Sequence, residues 1–484
     1  MSTALTRGDY NGCVYVSGAL EPVNLRSPGR VLLISCYELG HTPHGVAAPL
    51  AVLEKAGYCP AVTDIAVESL DTYIIRKACF VGISAPMHTA LRLALRLAQR
   101  IRNINPLCAI AVYGLYASLN AAALLDQGVD YCIGGSFEVT LLSLLDALAE
   151  GRPLPAGVSS GKHIAQPEIS GAPAVTPQHT TLPGLARYAH LDVAGEERLV
   201  GYVEASRGCK HLCRHCPIPP VYGGKFFLTP VDVVMDDIGR QVASGAQHIT
   251  FGDADFLNSP AHATALAGAL CERFPAITFD VTAKIEHIVK SPGVIPLLAR
   301  AGCLFIISAV ESLSPLVLQI LDKRHTRDDV VQAIHILDAA GVVMRPTWVP
   351  FTPWATLDDT IDIYKFIDEH DLVDNVDLVQ FTLRLLVPPG SLLAEHPAML
   401  PHRGQLVNEA FSYLWYHPDP RMDRLALETA ERVKASARDG EEPGETFLQL
   451  WRLAASMDGA PGPEASAQAR RRRRIPRVTE PWFC

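Results

Sequence analysis

What the chain lacks narrows the field first. No run of 18 or more apolar residues is free of a charge or a helix breaker, so no membrane-spanning helix is expected. Residues 1–12 carry Arg7 and Asp9 but no apolar stretch, so a secretory signal is not expected either. Positive charge is not in excess. The formal net charge of −9 argues against a general nucleic-acid binder. The run Arg470 to Arg474 is the one exception and reads as a solvated strap. The 12 cysteines are mostly scattered singly and only one CxxC spacing occurs, which excludes a disulfide scaffold. No GxGxxG follows the first strand, so a dinucleotide fingerprint is missing. No repeat of 20 to 50 residues is visible. With 49% hydrophobic and 19% charged residues the chain is not disordered, and 484 residues allow about three domains. A cytoplasmic protein with no membrane partner is expected.

What is present is alternation of strand and helix. Short apolar runs at Arg30 to Cys36, Ala61 to Ile65, Ala78 to Ser84, Ala109 to Tyr113 and Tyr131 to Ile133 are separated by helical patterns. Thr89 to Ile104 is strongly amphipathic. Buried strands between helices mean a parallel sheet covered on both faces, so 29–150 reads as a doubly wound domain. Residues 151–195 hold six prolines and read as a linker or an extended strap. Alternation resumes in 196–395. Strands are expected at Leu199 to Ala205, His248 to Gly252, Ile277 to Thr282, Leu304 to Val310, Val342 to Trp348 and Val376 to Thr382. Six βα units suit a partial (β/α)6 barrel rather than a closed one of eight. Residues 396–484 read as a helical C-terminal region with a loose tail. The fold class is therefore α/β.

The chemistry concentrates after the first strand of the second unit. Cys209-Lys-His-Leu-Cys213-Arg-His-Cys216 places three thiols within eight residues. They can face one point only if the backbone loops around an object. A structural zinc site needs four ligands; His211 or His215 could be the fourth, but neither has finger spacing. Three cysteines on such a loop suit a [4Fe-4S] cube with one iron left open.

Here the chain resembles the radical S-adenosylmethionine (SAM) superfamily, over about 195–395. The resemblance implies that Cys209, Cys213 and Cys216 ligate the cluster and that SAM binds the open iron. Reductive cleavage of SAM would then yield a 5′-deoxyadenosyl radical that takes hydrogen from an unactivated C–H bond. His215 stands where the family has an aromatic residue near the adenine. Gly252 and Asp253, Lys284, and Ser308 with Glu311 follow successive strands where the family binds SAM. The first domain is similar to the cobalamin-binding domain that precedes many such enzymes. That likeness implies a cobalamin site at Gly45, Ser84, Thr89, Ser118, Gly134 and Gly135. The DxHxxG motif of cobalamin mutases is missing, so a domain that kept the fold and lost the cofactor stays open. Pro86 to Arg92, Tyr113 to Asn120 and Pro481 to Cys484 resemble the subgroup with a CUAEP or CCAEP tail, in which Cys484 would precede selenocysteine.

The leading expectation is a cobalamin-type methyltransferase acting on an unactivated centre of a small molecule. It would draw electrons from a flavodoxin or ferredoxin. A second enzyme reading keeps cluster and SAM without cobalamin, and transfers a group such as 3-amino-3-carboxypropyl or rearranges its substrate. A third is a non-catalytic iron–sulfur or zinc redox sensor. Arg345 and Arg384 are candidate contacts for an anionic substrate, and Trp348, Phe351 and Trp354 for a pocket wall.

Overall fold

The computed structural model describes residues 24–171, 175–459, 462–463 and 475–479. The chain divides into two units, 1–187 and 188–484. No helix among the described residues is long and apolar enough to cross a membrane.

The first unit runs β1 (Val31–Ser35), α1 (His44–Lys55), β2 (Ala61–Asp64), α2 (Thr72–Lys77), β3 (Phe80–Ser84), α3 (His88–Ile104), β4 (Ala109–Tyr113), α4 (Leu115–Leu119), α5 (Ala121–Asp126), β5 (Tyr131–Ile133), α6 (Phe137–Glu150) and β6 (Val158–Ser159). Its sheet has the order β2-β1-β3-β4-β5-β6, and every strand is parallel except the edge strand β6. β1 and β3 are buried along their whole length, as a sheet covered on both faces requires. α3 shows how sequence selects a face. Ala90, Leu91, Ala94, Leu95, Ala98 and Ile101 are buried, while Arg92, Arg96 and Arg100 stay outside. Val31, Leu33, Leu50, Phe80, Tyr113, Ile133 and Leu145 make the core between sheet and helices.

The second unit runs β7 (His190–Val193), β8 (Glu196–Val203), β9 (Ser206–Gly208), α7 (Ile218–Tyr222), β10 (Phe226–Leu228), α8 (Val231–Ala243), β11 (His248–Phe251), α9 (Pro260–Arg273), β12 (Thr278–Thr282), α10 (Ile285–Lys290), α11 (Ile295–Arg300), β13 (Cys303–Glu311), α12 (Pro315–Leu321), α13 (Arg327–Ala340), β14 (Val343–Trp348) and α14 (Leu357–Glu369). It ends with β15 (Arg403–Val407), β16 (Ser412–Trp415), α15 (Pro420–Asp439), α16 (Pro443–Asp458) and β17 (Arg477–Val478). The main sheet has the order β14-β13-β12-β11-β8-β7-β17. β8, β11, β12, β13 and β14 are parallel neighbours, and β7 and β17 extend the sheet antiparallel. The result is half a barrel whose strand ends all open on one side.

Two expectations change. The strand expected at Val376 to Thr382 is absent; short 3-10 turns, Val373–Asn375 and Leu378–Thr382, replace it. The edge of β14 explains this, because side chains satisfy it. Asn375 Nδ2 donates to the Met344 carbonyl at 2.7 Å, and Gln380 Oε1 accepts from Trp348 N at 3.1 Å. A sixth strand would have to displace both. One parallel bridge, Phe351 to Arg384, is what remains of the pairing. The region after 396 carries its two helices, but also the antiparallel hairpin β15–β16, which turns at Phe411 with φ near 49°. Alternating residues such as Leu406 and Val407 against Tyr413 and Ser412 give it strand register. Part of the proline-rich stretch after 150 is tied to the turn after β5. Ser136 N donates to the Glu168 carbonyl at 2.8 Å, and Ser136 Oγ donates to the Ser170 carbonyl at 2.8 Å.

Candidate active site

The cysteine loop leaves β8 at the open end of the half-barrel. The pair β9–β10 closes its base, with Gly208 opposite Phe226. Gly208 adopts φ +83°, and a Cβ there would collide with the Lys225 carbonyl, so only glycine fits. Cys209 follows at once. The loop is then tied down from three sides. Lys210 N donates to Asn258 Oδ1 at 3.3 Å. Arg214 N donates to the Leu321 carbonyl at 3.0 Å, and Arg214 Nη1 to the Ile320 carbonyl at 2.7 Å. Cys216 N donates to the Cys213 carbonyl at 3.1 Å, which turns the last thiol back toward the first two.

Cys209 and Cys213 are buried and Cys216 is half-buried, and all three are free thiols. Burial pushes the Cys209 thiol up and the Cys216 thiol up to about 12. Cys209 and Cys216 are thus poor hosts for bare negative charge, and a cationic centre held among the thiols would reverse that penalty. Lys284 Nζ lies 3.6 Å from Cys213 Sγ, so one protein cation already leans on the set. The donor set and its loop fit an iron–sulfur cube with three protein ligands.

Around the loop stand the ends of the parallel strands. His215 Nε2 lies 3.2 Å from Glu311 Oε1, and Lys323 Nζ lies 3.3 Å from the same oxygen. Burial alone would raise the Glu311 pKa; Lys323 and His215 outweigh it and hold the carboxyl at about 2. Glu311 takes a positive φ of 67° beside a register shift against β14, which turns its carboxylate out of the strand. His215, Lys284 and Glu311 therefore converge on the loop. Asp253 and Ser308 have other engagements. Asp253 accepts from Ala205 N at 2.9 Å and from Ser206 Oγ, which staples the start of the loop. Burial pushes its carboxyl up to about 7. Ser308 is fully buried, and its Oγ donates to the Ala283 carbonyl at 2.7 Å. Gly252 is needed for room: a Cβ there would collide with the Tyr202 ring.

Several residues of this neighbourhood gave no signal in the sequence reading. Lys323 follows Asp322, which takes the left-handed conformation at the end of α12, so no spacing links it to Glu311. His287 and Asn258 reach the loop from α10 and from the turn after β11. The other candidates are placed elsewhere. Arg345 pairs with Asp377 at 2.6 Å and Arg384 with Asp423 at 2.7 Å. Trp348 is buried against Phe366.

In the first unit the strand ends are tight rather than open. Glu38 Oε2 accepts from Gly45 N at 3.2 Å, and Glu38 Oε1 accepts from Ser84 Oγ at 3.2 Å. A Cβ at Gly45 would collide with Ser84 Oγ, one at Gly134 with Ser118, and one at Gly135 with the Glu168 carbonyl. Thr89 stands half-buried in the first turn of α3. The small residues expected at this end are thus gathered, but they pack on each other and on the strap at Glu168. The expectation for Cys484 and the arginine run before it lies outside the described residues.

Comparison with known proteins adds the following. Residues 203–363 match the radical SAM superfamily. An uncharacterized methyltransferase of Pyrococcus horikoshii is 23% identical over 332 residues, which is 65% of this chain and 68% of that one. The hopanoid C-2 methylase of Rhodopseudomonas palustris is 24% identical over 149 residues, 30% of this chain and 28% of the methylase. Among solved structures, the radical SAM methyltransferase TsrM from Kitasatospora setae, with cobalamin and a [4Fe-4S] cluster bound, superposes with a TM-score of 0.64 at 15% identity. The superposition covers 89% of this chain and 100% of TsrM. The cobalamin-dependent radical SAM enzyme OxsB, with aqua-cobalamin and SAM bound, gives a TM-score of 0.69 at 14% identity over 90% of this chain and 74% of OxsB. At such identities the likeness is one of fold.

Proposed function

Starting from a radical SAM domain over residues 203–363, we propose that this chain is a cobalamin-dependent radical SAM methyltransferase acting on an unactivated centre of a small molecule. The observation that carries the reading is the arrangement of Cys209, Cys213 and Cys216 on a loop at the open end of a half-barrel, in a chain that also contains a doubly wound domain. Those three thiols would hold a [4Fe-4S] cluster, and Gly45, Ser84, Thr89, Ser118, Gly134 and Gly135 lie at the end of the first sheet where a corrin would rest. When bound, the cluster supplies the electron that cleaves SAM, and a corrin supplies a methyl carrier.

The chain's own residues would bind, orient and exclude water. Lys284, beside Cys213, offsets thiolate charge. Glu311, ionised between Lys323 and His215, presents an acceptor with a fixed direction for a hydroxyl or ammonium of SAM. Asp253 keeps the loop seated through Ala205 and Ser206. A flavodoxin or ferredoxin is the proposed electron donor.

The test is anaerobic purification and reconstitution, followed by iron and sulfide assay, corrinoid extraction, and measurement of S-adenosylhomocysteine and 5′-deoxyadenosine from SAM. About four irons per chain, extractable corrinoid and SAM turnover support the proposal. Four irons that persist after all three cysteines become Ala would overturn the cluster assignment. One observation favours a second reading without cobalamin: the Glu168 carbonyl already occupies the space over Gly135. SAM cleavage with no bound corrinoid would establish it.

A further inference from the structure

The cluster thiols do not use every ligating side chain around the loop. His211 projects from between Cys209 and Cys213, Asp255 from the turn after β11, and His287 from α10. One donor atom from each lies within 4.8 Å of the other two. His211 Nε2 and His287 Nε2 face each other at 3.0 Å, with the rings tilted at 55°. His287 Nδ1 and Asp255 Oδ2 are 2.7 Å apart, and His211 Nδ1 and Glu286 Oε2 3.6 Å apart.

These contacts are close, but the four outer atoms have no hydrogen bond. His211 Nδ1, His287 Nδ1, Asp255 Oδ2 and Glu286 Oε2 are all buried without a partner of hydrogen-bond geometry. Asp255 is fully buried, and His211 is 8% exposed. An orphaned buried polar atom costs about 1–3 kcal/mol, and more when it carries charge. His287 Nδ1 and Asp255 Oδ2 meet each other and Glu286 Oε2 meets Lys284 Nζ at 3.5 Å as ion pairs, yet none of the four atoms has a hydrogen bond of good geometry, and they come from three different elements. In the metal-free chain the facing Nε2 atoms share one proton as an N–H···N hydrogen bond, which a bound ion would replace.

We propose that His211, His287 and Asp255 hold one divalent ion of the zinc or ferrous class, separate from the cluster, with Glu286 as the carboxylate behind His211. Two imidazoles and one carboxylate form a borderline donor set that suits Zn²⁺, Fe²⁺ or Co²⁺ rather than Mg²⁺ or Ca²⁺. The outer carboxylate is the usual support for a ligating histidine. Two cations share Glu286 and work against the ion's charge, so the ligand set rather than net charge must hold it. Lys290 Nζ takes the other oxygen of Glu286 at 2.6 Å, and Lys284 is shared between Glu286 at 3.5 Å and Cys213 at 3.6 Å. The ion would bind the cysteine loop to the ends of β11 and β12, and so fix the frame on which the thiols sit.

The test uses the full chain and Co²⁺ as the probe. It is titrated anaerobically into the Cys209→Ala/Cys213→Ala/Cys216→Ala variant, which has no cluster thiols, and into the reconstituted wild type. One equivalent with visible d–d absorption and no sulfur charge-transfer band is expected in both. His287→Ala should weaken it at least about 100-fold, beyond the roughly 10–100-fold of an outer partner. Should that variant fold poorly, Asp255→Asn serves: it keeps the Oδ1 that accepts from Leu257 N at 3.1 Å and loses the anionic Oδ2. Zinc content of the purified protein is the second readout. Three results would overturn the proposal: no stoichiometric Co²⁺ in the thiol-free variant, affinity unchanged by both substitutions, or binding that needs the cysteines. None of them depends on SAM turnover or on cobalamin.

Discussion

Glu311→Gln probes the electrostatics of the site in one step. The carboxylate is nine-tenths buried and meets His215 Nε2 at 3.2 Å and Lys323 Nζ at 3.3 Å. Its pKa of about 2 lies below the ordinary value of 4.5. A fall of about 2.5 units at about 1.4 kcal/mol each corresponds to roughly 3 kcal/mol of folded-state stability. The sign follows from the depression. This contribution is fully present above pH 4.5 and is lost as pH falls toward 2. Gln keeps the shape but cannot balance Lys323, whose side chain is only 3% exposed. Leaving a buried cation without its partner costs about 3–5 kcal/mol, so two independent routes give similar size. Urea unfolding followed by circular dichroism should therefore show a deficit of about 3 kcal/mol at pH 7. The deficit should shrink below pH 4.5, where the wild type forfeits the same interaction. Glu311→Gln combined with Lys323→Met should recover much of the loss. A deficit under about 1 kcal/mol at pH 7, or one of equal size at pH 3, would refute the reasoning.

Other outcomes follow from the same geometry. Asp253 holds its proton to about pH 7 in the folded chain because it is buried, so its contribution is present below 3.8 and is lost as pH rises through 7. Asp253→Asn should flatten that decline between pH 5 and 8 in thermal unfolding, and a pH slope equal to the wild type's would count against it. Gly208→Ala forces a side chain into φ +83° and onto the Lys225 carbonyl. It should cost at least about 1–2 kcal/mol and lower the iron retained after reconstitution, whereas full iron at an unchanged melting temperature would contradict the collision. Arg214→Ala removes two anchors to the end of α12. It should speed proteolysis within the cysteine loop, and equal cleavage rates would show the anchors to be idle.

Most of the fold was legible because parallel sheets write themselves as short apolar runs. The β4 and β5 bounds match the expected runs residue for residue. The misses share one physical origin: edges. Where a sheet ends, side chains can replace a strand, as Asn375 and Gln380 do on β14. Hydrophobic pattern at Val376 to Thr382 carries no trace of that substitution, since the apolar residues are buried either way. α14 was expected only in outline, as a helix between the fifth and sixth strands, although its start is written in the sequence. Thr356 and Asp359 form a capping box, with Thr356 Oγ1 and N both bonded to Asp359 Oδ2.

The site divides along the same line. Three thiols within eight residues are a local feature, so spacing alone reveals them. What surrounds them is assembled from strand ends far apart in sequence. Lys323 reaches Glu311 across 12 positions, His287 reaches His211 across 76, and Lys284 reaches Cys213 across 71. A motif can name the position after each strand but cannot say which way its side chain turns. That explains why Glu311 and Lys284 meet the middle of the loop, while Asp253, picked by the same positional rule, bonds to Ala205 N and Ser206 Oγ at its start and Ser308 to the Ala283 carbonyl. The deciding factor is local: the register shift and positive φ at Glu311 swing its carboxylate outward, whereas Ser308 sits in regular strand with its hydroxyl against β12. A residue's place after a barrel strand is thus evidence of proximity to the site, and at Glu311 the backbone irregularity is what turns the side chain toward it.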